Sequence, residues 1–293
     1  MEILITGANG FLGQHLCLFL KDDHTVFATG KGEKRLPFED VKYFSCDLAN
    51  AHALREMMQQ LKPEVIVHTA AMSKPDECLQ QPDLCRQVNI SSIGNLVKAV
   101  KGMDDEVHFI YTSSDFVLGD GGPHDENAIP APLNFYGQTK LEGEQMLMNS
   151  GLQYTIVRPV FMYGEVWSGM RSTFLHWVKD SLEAGKAIKV VNDQMRTPSY
   201  TGDICKGIEA IINKKAKGLY HLAGEEVVSP YQMAIAVAEL LNLNKALIEP
   251  VTADTFPEPV KRAKYGGLKI DKAKQDLGFT PMRLKEGLIR TFL

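Results

Sequence analysis

The stretch PLNFYGQTKLEGEQ (132–145) places Tyr136 four residues before Lys140. On a helix that spacing is about one turn, so the two side chains share a face. A phenol is a poor proton donor at its free pKa of about 10, and a neighbouring ammonium lowers that value. Such a pair suits the reduction of a ketone, where a hydride arrives at carbon and a proton must reach the developing alkoxide. Many surface helices carry the same spacing by chance. The spacing alone therefore leaves an ordinary helix face open, and the rest of the chain has to decide.

A second chemical feature lies at the start of the sequence. TGANGFLG puts Gly7, Gly10 and Gly13 between an apolar run, EILIT, and a segment of helical length, FLGQHLCLFLKDD. A tight strand-to-helix turn needs glycine, and a pyrophosphate must approach its backbone closely. The free N–H groups and dipole of the helix start then face the anion. Asn9, Phe11 and Leu12 lie in the same turn. The region where NAD binders carry an acid for the ribose 2′-hydroxyl reads ATGKGEKR, with Lys31, Lys34 and Arg35. Cations suit a 2′-phosphate, so the expected cofactor is NADP(H) in preference to NAD(H). Glu33 in that loop keeps NAD(H) open.

The elements that must position these groups alternate. Expected strands are 2–6, 25–30, 41–46, 64–70, 107–114 and 154–160, with helices at 11–23, 51–61 and 82–102 between them. That rhythm predicts an α/β fold, a Rossmann-type doubly wound parallel sheet. After residue 160 the rhythm loosens. Helices are expected at 172–185, 201–213 and 229–243 and near 283–293, and strands at 187–193 and 218–224. The expected division is a dinucleotide-binding domain of 1–157 plus 187–223, and a smaller α/β substrate-binding lobe of 158–186 plus 224–293.

Composition is that of an ordinary globular chain: 293 residues, 44% hydrophobic, 23% charged, formal net charge −4. No Lys/Arg-rich block suggests a nucleic-acid partner. The five cysteines form no CxxC pair and the eight histidines no HExxH, so no metal site is expected. No stretch reaches the roughly 18 apolar residues of a membrane span, and the start lacks a signal-like apolar run. The expected setting is the cytoplasm, as a monomer or homodimer.

Taken together, the glycine turn, Asp47-Leu48, HTAA (68–71), Asn89, Ser114 and Tyr136–Lys140 resemble the extended short-chain dehydrogenase/reductase family, in its order and over most of the chain. SSDFVLGDGG, PAPLNFYGQTKLEGE, DQMRTPSYTGDI and GLYHLAGEEVVSPYQMA are similar to the dTDP-4-dehydrorhamnose reductase branch. The resemblance implies Tyr136 as proton donor, Ser114 bonding the carbonyl oxygen, and Lys140 assisting while holding the nicotinamide ribose. It implies that Asn89 shapes its helix and a proton relay. Asp47 and Leu48 would flank the adenine, although Asp47 also reads as the N-cap of the helix at 51. Thr69, Ala70, Ala71 and Pro159 would face the cofactor. Met72, Asp115, Phe116, Phe161 and Tyr163 would face the substrate, with Arg158 at the rim. Phe161 reads equally as core, and His68 reads as a buried strand residue.

Within that family, sugar-nucleotide dehydratases carry a T-D-E pair, whereas here Asp115 is followed by Phe116. The GDP-fucose epimerase-reductases use a cysteine near the same strand, and none lies between Cys85 and Cys205. A plain keto reduction asks least of the residues present. The expected substrate is a nucleotide-activated 4-keto-deoxysugar, foremost dTDP-4-dehydro-L-rhamnose. The rhamnose branch carries a tryptophan where this chain has Phe161, which leaves the sugar open. A rival from another class is a cofactor-binding regulatory subunit, since the β subunit of methionine adenosyltransferase resembles the same segments. Another carbonyl substrate is a third reading.

Overall fold

The computed structural model describes residues 1–104, 106–167, 169–256 and 260–293. Its main sheet holds β1 (Glu2–Thr6), β2 (Thr25–Gly30), β3 (Lys42–Ser45), β4 (Val65–His68), β5 (His108–Thr112), β6 (Gln153–Arg158) and a late strand, Gly218–His221. That late strand is β10. Before it come β7 (Met162–Tyr163), β8 (Ile188–Val191) and β9 (Ser199–Tyr200), and after it β11 (Ile248–Val251). The sheet order is β10-β6-β5-β4-β1-β2-β3, every pairing parallel.

Helices cover both faces, which is why the central strands read as unbroken apolar runs. Side chains alternate across the sheet. Ile3, Ile5, Val65, Val67 and Ile110 pack toward α1 (Phe11–Leu20) and the helix Thr201–Lys214. Leu4, Ile66, Phe109 and Tyr111 pack toward α2 (Ala51–Leu61) and the helix Ser92–Lys101. The first strands run β1, β2, β3 outward; the chain then returns to place β4 on the other side of β1. The crevice beyond β1 and β4 is thus the topological switch point, where ligands bind in open parallel sheets.

The helix expected at 82–102 is continuous but not uniform. After α3 (Pro75–Gln80), which was not anticipated, α4 (Pro82–Arg86) leads through a π turn at Gln87–Ser91 into α5 (Ser92–Lys101). Next comes α6 (Phe135–Met148), then α7 (Phe174–Glu183), α8 (Thr201–Lys214), α9 (Pro230–Leu240), α10 (Asp271–Leu277) and α11 (Leu284–Phe292).

One boundary of the expected division moves. Strand β8 had been placed with the dinucleotide-binding domain, but it pairs with β11 in a separate small sheet. Ile188 and Val190 on β8 pack against Met233 and Val237 of α9 and Val178 of α7, so burial of its apolar face ties β8 to the lobe. Among the described residues no helix is long and apolar enough to cross a membrane.

Candidate active site

The glycine turn closes the switch point. Gly7 has φ +71°, and a Cβ there would lie 2.5 Å from Ala70 N, so the turn following β1 touches the backbone following β4. A Cβ on Gly13 would overlap the carbonyl of Gly7, so α1 packs directly against the turn. Gly10 is the N-cap of α1 and supplies no side-chain cap. The first N–H groups of that helix keep their capacity for an external acceptor. Leu12 is buried in the core, and its place in the site is that of its backbone. The Phe11 ring lies edge-on to His15 at 4.8 Å.

Beside the turn opens a cleft lined by Gly7, Gly30, Lys31, Asp47, Leu48 and Ala70. Gln87, Val88 and Ser92 from the π-turn region form its far wall, and no sequence signal had marked them. Lys31 Nζ pairs with Asp47 at 2.9 Å across the mouth. Lys34 and Arg35 are not in the lining. Lys34 pairs with Glu39 at 3.1 Å, while the Arg35 amide donates to Asn9 Oδ1 at 2.9 Å. Asn9 also donates to Glu33 O and to the Tyr43 hydroxyl, each at 2.9 Å. The residue thus pins the whole 31–35 loop to the glycine turn. The cap of α2 is Asn50, whose Oδ1 accepts from His52 and Ala53 amides at 3.2 Å. Asp47 is therefore not that cap, and instead accepts from the Ala49 amide at 3.0 Å.

The tyrosine and lysine lie inside the protein. Asn134 caps α6, its Oδ1 accepting from the Gly137 amide at 2.9 Å. That cap starts the helix just before Tyr136 and presents Tyr136 and Lys140 one turn apart toward the end of β5. Lys140 is 2% exposed; its Nζ donates to Thr112 O at 2.7 Å and stands 4.3 Å from the centre of the Tyr111 ring. Loss of hydration lowers its pKa to about 7, with the Glu144 carboxylate opposing the shift. Burial raises the Tyr136 phenol well above its ordinary value, and hydrogen bonding by Ser114 opposes that rise. Ser114 Oγ itself donates to Asp115 Oδ1 at 3.0 Å. The Asp115 carboxyl is pushed up by burial and held down by Arg196.

Asn89, 1% exposed, sits in the π turn. Its Nδ2 donates to Met72 O at 3.1 Å and Thr139 Oγ1 at 3.0 Å, and the Met72 amide donates to Oδ1 at 2.8 Å. It therefore locks the loop after β4 to α6. In that loop Thr69 Oγ1 donates to Thr6 O at 2.7 Å, and Ala71 leads to Met72, which packs on Tyr136 beside Cys78 and Cys85. The Asp115 amide donates to Pro159 O at 3.2 Å. His68 is buried, its Nδ1 2.6 Å from Thr6 Oγ1.

A second cleft opens beside Asp115 and Phe116. Asp115, Phe116 and Phe161 line it together with Phe174, Trp177, Lys189, Gln194, Arg196 and Arg262. Phe161 adopts φ +37°, a left-handed conformation that a bulky side chain resists. The expectation for Tyr163 is overturned. It is 1% exposed and packs against Tyr200 and Gly287, because its ring fills the lobe's core. Arg158 is not at the rim either; it is 2% exposed and paired with Glu144. Gln194 and Arg196 lie in DQMRTPSYTGDI, a stretch legible as family likeness, but neither they nor Phe174, Trp177, Lys189 and Arg262 are expected at the cleft, because only the folded lobe brings these distant segments together.

Comparison with known proteins matches this arrangement. The chain is 32% identical to methionine adenosyltransferase 2 subunit beta of Mus musculus, over 98% of this chain and 87% of that one. It superposes on a dTDP-4-dehydrorhamnose reductase from Clostridium acetobutylicum with TM-score 0.86 and 30% identity, covering 98% and 97% of the two chains. The dTDP-4-dehydrorhamnose reductase of Bacillus anthracis, solved in complex with NADP, gives TM-score 0.83 and 27% identity, covering 99% and 98%. The family model described as "RmlD substrate binding domain" matches residues 1–292, and the chain belongs to that family.

Proposed function

We propose that this chain is an NADP(H)-preferring oxidoreductase that reduces the 4-keto group of a nucleotide-activated deoxysugar, with dTDP-4-dehydro-L-rhamnose the leading substrate. The observation that carries the proposal is the buried group of Ser114, Tyr136 and Lys140, with Lys140 Nζ bonded to the carbonyl of Thr112, the last residue of β5. The glycine turn, the uncapped start of α1 and the adjoining cleft, with Lys31 at its mouth, suit a dinucleotide. Gly7, Asp47, Leu48 and Ala70 would hold its adenosine half, and Lys31 the 2′-phosphate. A nicotinamide held there would supply a hydride to the carbonyl carbon. Tyr136 gives its phenol proton to the carbonyl oxygen, and the Ser114 hydroxyl donates to the same oxygen. The Lys140 ammonium offsets the phenolate charge that remains.

The second reading, a regulatory subunit without turnover, is favoured by the similarity to the adenosyltransferase β subunit. The two separate in one assay. NADPH and NADH oxidation is followed against a panel of dTDP-, UDP- and GDP-linked 4-keto-sugars. Turnover with a dTDP-linked sugar, faster with NADPH, supports the reductase. Tight NADPH binding with no turnover on any sugar, together with a stable complex with an adenosyltransferase, supports the regulatory subunit.

A further inference from the structure

The second cleft is cationic as well as aromatic. Lys189, Arg196 and Arg262 line it along with Phe161, Phe174 and Trp177. Two of these cations are tethered together, since Arg196 Nη1 donates to Ala263 O at 2.8 Å, the carbonyl next to Arg262. Arg262 is also engaged from the opposite side of the molecule. Its Nη2 donates to Asp76 Oδ2 at 2.9 Å, across 186 residues of sequence. Asp76 belongs to the first turn of α3, on the sheet side of the cleft. Its neighbour Glu77 accepts from Lys74 at 2.7 Å and faces Arg171 at 3.9 Å. Of these two adjacent carboxylates, Asp76 reaches an arginine that lines the cleft, Arg262, and Glu77 one that does not, Arg171.

The placement of Asp76 is rigid from below. Asn89 holds both the N–H and the carbonyl of Met72, and Cys78 Sγ of α3 donates to that same carbonyl at 3.2 Å. The Asp76–Arg262 pair itself is open to solvent, with side chains 43% and 19% exposed. An ion pair so exposed contributes little to stability. It is easily exchanged for another anion.

We propose that Asp76 is a built-in competitor for the anionic part of the ligand at Arg262, and that this part is a nucleoside diphosphate. The proposal rests on the nucleotide-sugar reading above. A diphosphate carries more charge than one carboxylate and accepts from a guanidinium through two oxygens, so it displaces the carboxylate. Asp76 then stands as a like charge beside the bound diphosphate. Its role is to limit affinity and so to favour release of a charged product. Asp76 acts on the ligand only through its hold on Arg262, and it takes no part in proton or hydride transfer.

The test is calorimetric binding of dTDP and UDP to the full chain, as wild type, Asp76→Asn, Asp76→Ala, Arg262→Gln and the Asp76→Asn/Arg262→Gln double variant. Thermal melts check that each is folded. Asp76→Asn and Asp76→Ala are expected to bind the preferred diphosphate about threefold to tenfold more tightly. Arg262→Gln is expected to bind about tenfold more weakly, with no gain from adding Asp76→Asn. Steady-state kinetics should show KM for the nucleotide sugar falling in Asp76→Asn, with kcat falling as well because release of the charged product slows. Unchanged or weaker binding in both Asp76 variants overturns the proposal, as does an equal gain in the Arg262→Gln background. If neither wild type nor Asp76→Asn binds dTDP, UDP or, in the same assay, GDP, the nucleotide-sugar reading falls with it. If wild type binds and Asp76→Asn binds no better, the competition at Arg262 falls alone.

Discussion

Glu144 and Arg158 form a two-pronged ion pair inside the protein, one helical turn beyond Lys140. Nε donates to Oε1 at 2.8 Å and Nη2 to Oε2 at 2.6 Å, with both side chains 3% exposed. The pair ties α6, which carries Tyr136 and Lys140, to the last residue of β6. It fixes the proton-donating helix to the sheet, and its carboxylate helps keep Lys140 charged.

Breaking that pair on one side should be costly. Glu144→Gln leaves a buried guanidinium without its counter-charge, and a loss of about 3–5 kcal/mol is expected from chemical denaturation. The double variant Glu144→Met/Arg158→Met should recover much of it, because no charge is left buried. Equal destabilisation in single and double variants would show that shape, not charge, holds the helix.

The burial of Lys140 makes stability depend on pH. Its folded pKa is depressed to about 7, below an unfolded value of about 10.4. Between those values the unfolded chain binds more protons than the folded one, so this residue's contribution rises with pH. Below about pH 7 the burial penalty is present in full. Lys140→Met should therefore stabilise the cofactor-free chain most at pH 7 and below, by a few kcal/mol at the order-of-magnitude level. The advantage should shrink toward pH 10, and unfolding curves at four pH values read it directly. A constant advantage would contradict a neutralised Lys140.

Gly13 tests the glycine turn. Its missing Cβ is what lets α1 lie against the Gly7 carbonyl. Gly13→Ala should push the start of α1 off the turn and weaken dinucleotide binding by about tenfold or more, a loss of at least about 1.4 kcal/mol. The measurement is NADPH fluorescence titration.

Asn9 tests the loop that faces the 2′ position. Asn9→Ala removes three hydrogen bonds that pin residues 33–35 and Tyr43. NADPH affinity should fall about tenfold while NADH affinity falls less, so the ratio of the two is the readout. An unchanged ratio would show that the loop does not read the 2′-phosphate.

Much of this architecture was legible in the residues. EILIT, TVFATG and VIVH read as strands because both faces of a parallel sheet are covered, and α2 spans Ala51–Leu61, the expected bounds. The helix expected at 229–243 is α9, which Ser229 opens with a capping box. What was not legible depends on distant partners. Strand β8 looks like any short apolar run, and only its pairing with β11 assigns it to the lobe. Tyr163 and Arg158 sit next to cleft residues in sequence, yet their side chains point into cores whose other halves are Gly287 and Glu144. Lys34 and Arg35 carry the right charge for a phosphate, but Glu39 and Asn9 engage that loop. The π turn that seats Asn89 has no composition of its own.

The central claim is that Tyr136 donates the proton in a reduction carried out by this chain. Its most direct test is Tyr136→Phe beside wild type, with NADPH and the best 4-keto-sugar nucleotide. The account predicts that kcat falls by a factor of about 10² to 10⁴ while NADPH affinity stays within about threefold. A Tyr136→Phe protein that turns over at the wild-type rate would contradict it.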